Sequence, residues 1–198
     1  MHTIKSPLFF IPNILDYVRV LLLIVVICLF ATHPWYAVGL YGLNSILDGL
    51  DGTLARFLNQ QSKLGALLDF SIDRAAITIL LGACIWAVPH LLMLFLLVMA
   101  LDIGSHFAVC YASAYNNGSH LKFLAKGSSL LCAFSQKSWV RYSICTSHDL
   151  FFALFIINTF MPSPHWIILW VILAPGMLIK TWIHLEQFYL AANFVAIN

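Results

Sequence analysis

The sequence has few charged residues. Of 198 residues, 10 are Lys or Arg and 8 are Asp or Glu, which makes 9% charged, whereas 62% are hydrophobic. Soluble domains carry about 25% charged residues, so this chain lacks the polar surface to cover itself in water. We therefore expect a membrane protein whose partners include lipid, and we expect no nucleic-acid partner.

Cysteine motifs are also absent. The five cysteines form no CxxC pair and none has the spacing of zinc ligands, so neither a zinc site nor a redox pair is expected. We interpret them as packing or lipid-facing thiols. They are Cys28, Cys84, Cys110, Cys132 and Cys145.

Long apolar stretches predict an all-α, polytopic membrane fold with six transmembrane helices. The stretches are about 18 to 27 residues long, enough to cross the hydrocarbon core. Segment 1–12 is too short to cross and is predicted to form a short interfacial helix. The whole chain, 1–198, is expected to form a single domain. The predicted spans are 13–32, 35–58, 65–88, 91–114, 144–161 and 166–192.

Basic residues cluster at alternate ends of these spans. The positive-inside rule then places both termini and the connections at 56–64 and 115–143 in the cytosol. The glycosylation acceptor sequence Asn117-Gly118-Ser119 falls in the second connection, so Asn117 is expected to stay unmodified.

Four aspartates lie inside the second and third predicted spans. Ionisable residues within a membrane are costly and mark functional sites by default. Asp48 and Asp51 are three residues apart, and Asp69 and Asp73 are four apart, so each pair shares one helix face. At about 1.5 Å per residue, all four lie within roughly 15 Å of the cytosolic surface.

Repulsion would protonate most of these carboxylates unless cations neutralise them. Oxygen ligands favour Mg²⁺ or Mn²⁺, and two carboxylate-bridged ions form a phosphoryl-transfer site. The alternative is a buried structural network or a proton relay.

Small residues and an arginine accompany the aspartates. Gly49, Gly52, Ala55 and Gly65 would let a ligand approach the backbone closely, and Arg56 could pair with phosphate oxygens. The alternative for the small residues is tight helix packing.

This stretch resembles the signature of the CDP-alcohol phosphotransferase family, D-x2-D-G-x2-A-R-x8-G-x3-D-x3-D. All eight specified positions match. They are Asp48, Asp51, Gly52, Ala55, Arg56, Gly65, Asp69 and Asp73.

The resemblance implies a metal-dependent phosphotransferase that acts on CDP-diacylglycerol and releases CMP. It implies that Asp48, Asp51, Asp69 and Asp73 hold two Mg²⁺ or Mn²⁺ ions and that Asp73 is also the general base. A homodimer is expected by the same resemblance. The residues expected to contact CDP-diacylglycerol are Asn13, Gly52, Thr53, Ala55, Arg56 and Gly65.

Beyond the signature, most of the chain is similar to eukaryotic phosphatidylinositol synthases. That likeness implies an endoplasmic-reticulum enzyme with a cytosolic active site, and myo-inositol as the acceptor alcohol. The alternative acceptor is glycerol 3-phosphate or another alcohol. The alternative classes of protein are a transporter or scramblase and an inactive scaffold. Asp16 is unusual near Arg19, and Thr146-Ser147-His148-Asp149 stands where these synthases usually have Thr-Ser-Arg-Pro. The acceptor contacts expected are Arg19, His106, Arg141 and Lys180.

Overall fold

The computed structural model describes residues 7–115 and 120–197, and every regular element in these two ranges is helical. The predicted interfacial helix falls partly on residues 1–6, outside this description, and Asn117-Gly118-Ser119 lies wholly outside it. Single-turn 3₁₀ helices occupy Pro7–Phe9 and Pro89–Leu91. The α-helices are α1 (Ile11–Phe30), α2 (Pro34–Phe57), α3 (Lys63–Ala87), α4 (Leu92–Tyr115), α5 (His120–Leu124), α6 (Ser129–Gln136), α7 (Ser138–Phe160) and α8 (Trp166–Ile197).

Six of the helices in the described ranges are long, and they occur where six were predicted. Five of them begin within two residues of the expected start. The exception is α7, which begins at Ser138, whereas the predicted span began at residue 144. The prediction began too late because the first turns of α7 are polar and include Arg141, which lowers the hydropathy there. The short helices α5 and α6 were not predicted, since each is too short to give a periodic signal.

The distribution of polar and apolar side chains is that of a membrane protein. Four helical stretches are long and apolar enough to cross a bilayer: Ile11–Phe30, Pro89–Ala114, Ser138–Phe160 and Trp166–Ile197. Large apolar side chains such as Leu21 and Trp182 are more than half exposed, whereas Arg19, Lys180 and His184 are buried. This reverses the pattern of a water-soluble surface and suits a lipid surround.

The chain divides into two compact units, Met1–Ile79 and Leu80–Asn198, and the division falls within α3. In the first unit, α1 packs along α2. In the second, α8 packs against both α4 and α7. An apolar cluster that includes Phe123, Leu131 and Ile183 stabilises the second unit by burial of hydrophobic surface.

Candidate active site

A tight turn joins the two helices that carry the predicted aspartates. α2 ends where Asn59 adopts a left-handed conformation, with φ of 54°, which asparagine tolerates. The Gln60 N–H donates to the Ala55 carbonyl at 2.9 Å and closes the last turn. Ser62 caps α3, because its Oγ accepts from the Gly65 N–H at 2.9 Å. Both helix ends are therefore fixed by local hydrogen bonds.

The beginning of α1 is tied to this turn. The Ile11 N–H donates to Gln60 Oε1 at 2.9 Å, and Asn13 Nδ2 donates to the Pro7 carbonyl at 2.7 Å. A Cβ added at Gly65 would lie 2.6 Å from Asn13 Oδ1, so a larger residue at position 65 would displace the buried Asn13 side chain. Asn13 and Gly65, both predicted to contact CDP-diacylglycerol, are thus neighbours.

Arg19 lies at the centre of an acidic cluster in the first unit. Its side chain is 1% exposed, and its two terminal nitrogens lie 2.5 to 3.4 Å from oxygen atoms of five aspartates. The sequence pattern predicted four of these acids to converge, and the structure brings all four together. The five are Asp16, Asp48, Asp51, Asp69 and Asp73.

The cluster has a closed side and an open side. Arg19 and Asp51 are almost fully buried. The side chains of Asp69 and Asp73 are 49% and 35% exposed, and that of Asp48 is 26% exposed. A ligand can therefore reach three of the predicted acids, while the guanidinium holds them together from beneath.

The donor set fits a divalent cation. Asp48, Asp51 and Asp69 each offer a carboxylate oxygen, and these oxygens lie within 4.8 Å of one another. Hard oxygen ligands in this number are those that Mg²⁺ and Mn²⁺ prefer. The three residues could hold an ion, with Asp73 beside them through their shared contact with Arg19.

The last turns of α2 present a polar surface next to the acids. Arg56 Nη2 donates to Thr53 Oγ1 at 3.3 Å, and Thr53 Oγ1 donates to the Gly49 carbonyl at 3.1 Å. The Gly52 N–H donates to the Asp51 carboxylate. Ala55 is half-buried on the same turns, and Arg56 is exposed.

The glycines of α2 are not required by packing. A Cβ at Gly49 would meet nothing within 4 Å, and one at Gly52 would meet only Arg56 Nη1, at an ordinary 3.5 Å. Tight helix packing therefore accounts for Gly65 but not for Gly49 or Gly52. The α2 backbone at these two glycines is open to approach within the described structure.

The other predicted acceptor contacts belong to the second unit. Lys180 is buried, and its Nζ lies 3.3 Å from Cys145 Sγ and 4.8 Å from the centre of the Phe134 ring. Arg141 donates to the Ser135 carbonyl at 3.2 Å, so part of its guanidinium stabilises the end of α6.

A second polar cluster surrounds His106 in this unit. Asp102, His106 and His184 offer ligand atoms within 4.8 Å of one another, and Ser105 Oγ lies 3.0 Å from His184 Nδ1. Sequence analysis predicted His106 as an acceptor contact but did not identify His184. The available signal was the polar series Lys180, His184, Gln187 along one face of the otherwise apolar α8.

Comparisons with known proteins place the chain among phospholipid-synthesising enzymes. The sequence profile of the CDP-alcohol phosphatidyltransferase family matches residues 9–177. The chain therefore belongs to the CDP-alcohol phosphatidyltransferase family. Metal dependence is typical of this family, in agreement with the carboxylate set of the first unit.

Within the family, the chain is similar to CDP-diacylglycerol–inositol 3-phosphatidyltransferases. It is 33% identical over 200 residues to that of Saccharomyces cerevisiae, an alignment that covers 99% of this chain and 90% of the relative. It is 31% identical to the Rattus norvegicus enzyme and 29% identical to the Homo sapiens enzyme, each over 78% of this chain and 73% of the relative. No solved structure matches the chain.

Proposed function

We infer that this protein transfers the phosphatidyl group of CDP-diacylglycerol to myo-inositol and gives phosphatidylinositol and CMP. The observation that carries the inference is the convergence of the four signature aspartates around Arg19, with three of them open to a ligand. The acceptor follows from the relatives, whose names specify inositol. Glycerol 3-phosphate is the alternative acceptor, but no observation in the described residues favours it.

The aspartates form the proposed metal site. Asp48, Asp51 and Asp69 would hold Mg²⁺ or Mn²⁺, with Asp73 as a further ligand and two ions in all. When bound, the ions supply the positive charge that the diphosphate of a CDP-lipid requires. Arg56, Thr53 and the exposed α2 backbone at Gly52 lie beside these acids and would position the nucleotide part of the substrate. Ala55, Gly65 and Asn13 complete the proposed CDP-diacylglycerol site.

Asp73 is the proposed general base. Its carboxylate is 35% exposed and is oriented by a 2.8 Å hydrogen bond from Arg19 Nη2. It takes the proton of the acceptor hydroxyl while the hydroxyl oxygen forms a bond to the lipid-side phosphorus. The bond from that phosphorus to the CMP oxygen breaks, and CMP leaves. A base of this kind contributes about 10²–10⁴-fold to a rate.

The acceptor is proposed to bind through polar groups of the second unit. Lys180 and His106, with Asp102 and His184 beside His106, offer donors and acceptors that hydroxyl groups can use. Arg141 keeps its predicted acceptor role as a proposal. Arg19, also predicted as an acceptor contact, is instead surrounded by the candidate metal ligands, and we assign it to their support.

The finer architecture also remains a proposal. We propose six spans, with α2 and α3 as the second and third, and an interfacial helix before α1. The family match at 9–177 runs through both compact units and supports one catalytic domain over 1–198. We further propose a homodimer in the endoplasmic reticulum, with its termini and active site facing the cytosol, as the distribution of basic residues indicates.

The acceptor is tested with purified protein, CDP-diacylglycerol, Mn²⁺ and a panel of radiolabelled alcohols. We expect labelled lipid from myo-inositol and none from glycerol 3-phosphate, serine or choline. Formation of labelled phosphatidylglycerophosphate without labelled phosphatidylinositol would contradict myo-inositol as the acceptor and support glycerol 3-phosphate.

A further inference from the structure

Asp16 is the one member of the acidic cluster that lies outside the family signature. It is on α1, three residues before Arg19, so both side chains leave the same face of that helix. The Asp16 side chain is 3% exposed, and its Oδ1 lies 3.4 Å from Arg19 Nη1. A buried carboxylate at this position destabilises the fold unless a nearby positive charge compensates it.

The guanidinium of Arg19 competes with a divalent cation for oxygen atoms. Arg19 Nη2 lies 2.5 Å from Asp48 Oδ1, and Nη1 lies 2.7 Å from Asp51 Oδ2. Mg²⁺ requires such oxygens at about 2.0–2.1 Å. A carboxylate can bind an ion and accept a hydrogen bond at the same time, but an ion repels the guanidinium and competes for the same electron pairs, so we expect some of the Arg19 contacts to weaken when metal binds.

Asp16 offers Arg19 a partner that the ion does not need. Among the described residues that pair with Arg19, it is the only carboxylate outside the predicted ligand set. Its negative charge also attracts a cation that enters the cluster. Both effects favour metal binding, so they act in the same direction.

We propose that Asp16 is a positioning residue that retains Arg19 when the metal ions bind and thereby raises the affinity of the site for divalent cations. This inference rests on the proposed metal site of Asp48, Asp51 and Asp69. Asp16 acts through the guanidinium and is not itself a catalytic residue.

The test is a Mn²⁺ titration of the metal-stripped full chain in detergent, with free Mn²⁺ measured by electron paramagnetic resonance and no substrate present. We expect Asp16→Asn to raise the Kd for Mn²⁺ about tenfold, a loss that one nearby charge can cause. Asp16→Glu should stay within about threefold of wild type, because it keeps the charge. Glu186→Gln, which removes a carboxylate of the second unit, is the matched control and should leave the Kd for Mn²⁺ unchanged.

A double-mutant comparison separates positioning from simple charge. In an Arg19→Gln background, Asp16→Asn should raise the Kd for Mn²⁺ less than about threefold, because the guanidinium that Asp16 positions is no longer present. An equal effect in both backgrounds, or an Asp16→Asn Kd within twofold of wild type, would overturn the positioning role. Failure of wild-type protein to bind Mn²⁺ would overturn the metal site itself, and this proposal with it. Because Asp16→Asn could unfold, thermal unfolding is recorded for each variant, and loss of metal affinity in a folded Asp16→Ser serves as the second reading.

Discussion

Arg19 Nη2 donates a 2.8 Å hydrogen bond to Asp73 Oδ1, so a buried cation on α1 orients the acid that we propose as the general base. The same nitrogen lies 2.5 Å from Asp48 Oδ1. One guanidinium therefore links the first acid of the signature to the last. Because opposite charges hold these carboxylates near one another, the cluster can exist before metal ions enter it.

The first prediction concerns Arg19→Gln. Removal of one partner from a buried ion pair typically costs about 3–5 kcal/mol, because the remaining charges lose their compensation. Metal ions can supply that compensation, so we expect Mn²⁺ to restore most of the lost stability. Thermal unfolding of wild type and variant, each in EDTA and in Mn²⁺, measures this. An equal loss of stability in both solutions would mean that the arginine and the metal ions do not share the same acids.

The second prediction concerns metal removal. Phosphatidylinositol formation should fall to below about 1% after exhaustive chelation and return with Mg²⁺ or Mn²⁺, because the diphosphate then regains its counter-charge. Asp48→Asn should need a higher metal concentration for half-maximal rate, whereas Asp149→Asn, which removes a half-buried carboxylate of α7 in the second unit, should not. Full turnover of stripped protein would contradict the carboxylate metal site.

The third prediction concerns the acceptor. Lys180 is buried, and its ammonium contacts the Cys145 thiol, which is a weak hydrogen-bond acceptor. The hydroxyl groups of the acceptor alcohol would give this ammonium stronger hydrogen-bond partners. Lys180→Met should raise the KM for myo-inositol about tenfold and leave the KM for CDP-diacylglycerol unchanged, which corresponds to about 1.4 kcal/mol of lost acceptor binding. Lys126→Met, an exposed lysine of the same unit, is the control. Equal changes for both substrates would exclude an acceptor role.

The fourth prediction concerns topology. Asn117 lies in the connection between α4 and α7, which carries Lys122, Lys126 and Lys137 and is followed by Arg141 in the first turn of α7. The positive-inside rule places this connection in the cytosol. It should carry no glycan in a eukaryotic cell. Mass spectrometry of the tryptic peptides, before and after glycosidase treatment, decides this. An N-linked glycan at Asn117 would show that this connection faces the lumen and that the proposed orientation is wrong.

The sequence predicted the acid layer because its signal is local. Spacings of three and four residues on adjacent helices suffice to place Asp48, Asp51, Asp69 and Asp73 together. The role of Arg19 was not accessible in this way, since its contacts with Asp51 and Asp73 span 32 and 54 residues of sequence. The resemblance to phosphatidylinositol synthases assigned it to the acceptor, and only the folded structure shows that it lies among the aspartates of α2 and α3.

The remaining differences have similar physical causes. Helix boundaries were accurate where proline and apolar runs define them, as at Pro34, which fits the first turn of α2. They were wrong at α7, where polar residues begin the helix. On α8, Lys180 was predicted as a site residue, but His184 and Gln187 were overlooked, although they lie four and seven residues further along the same face and carry the same kind of local signal.

The most direct test of the account compares wild type with Asp73→Asn in two measurements on the same preparations. One is CDP-diacylglycerol affinity in Mn²⁺, and the other is the rate of phosphatidylinositol formation from CDP-diacylglycerol and myo-inositol. Asparagine keeps the size and one oxygen of aspartate but cannot take up a proton, so the rate should fall at least about 10²-fold while affinity stays within a few-fold. Phosphatidylinositol formation by Asp73→Asn within a few-fold of the wild-type rate would contradict the proposed chemistry.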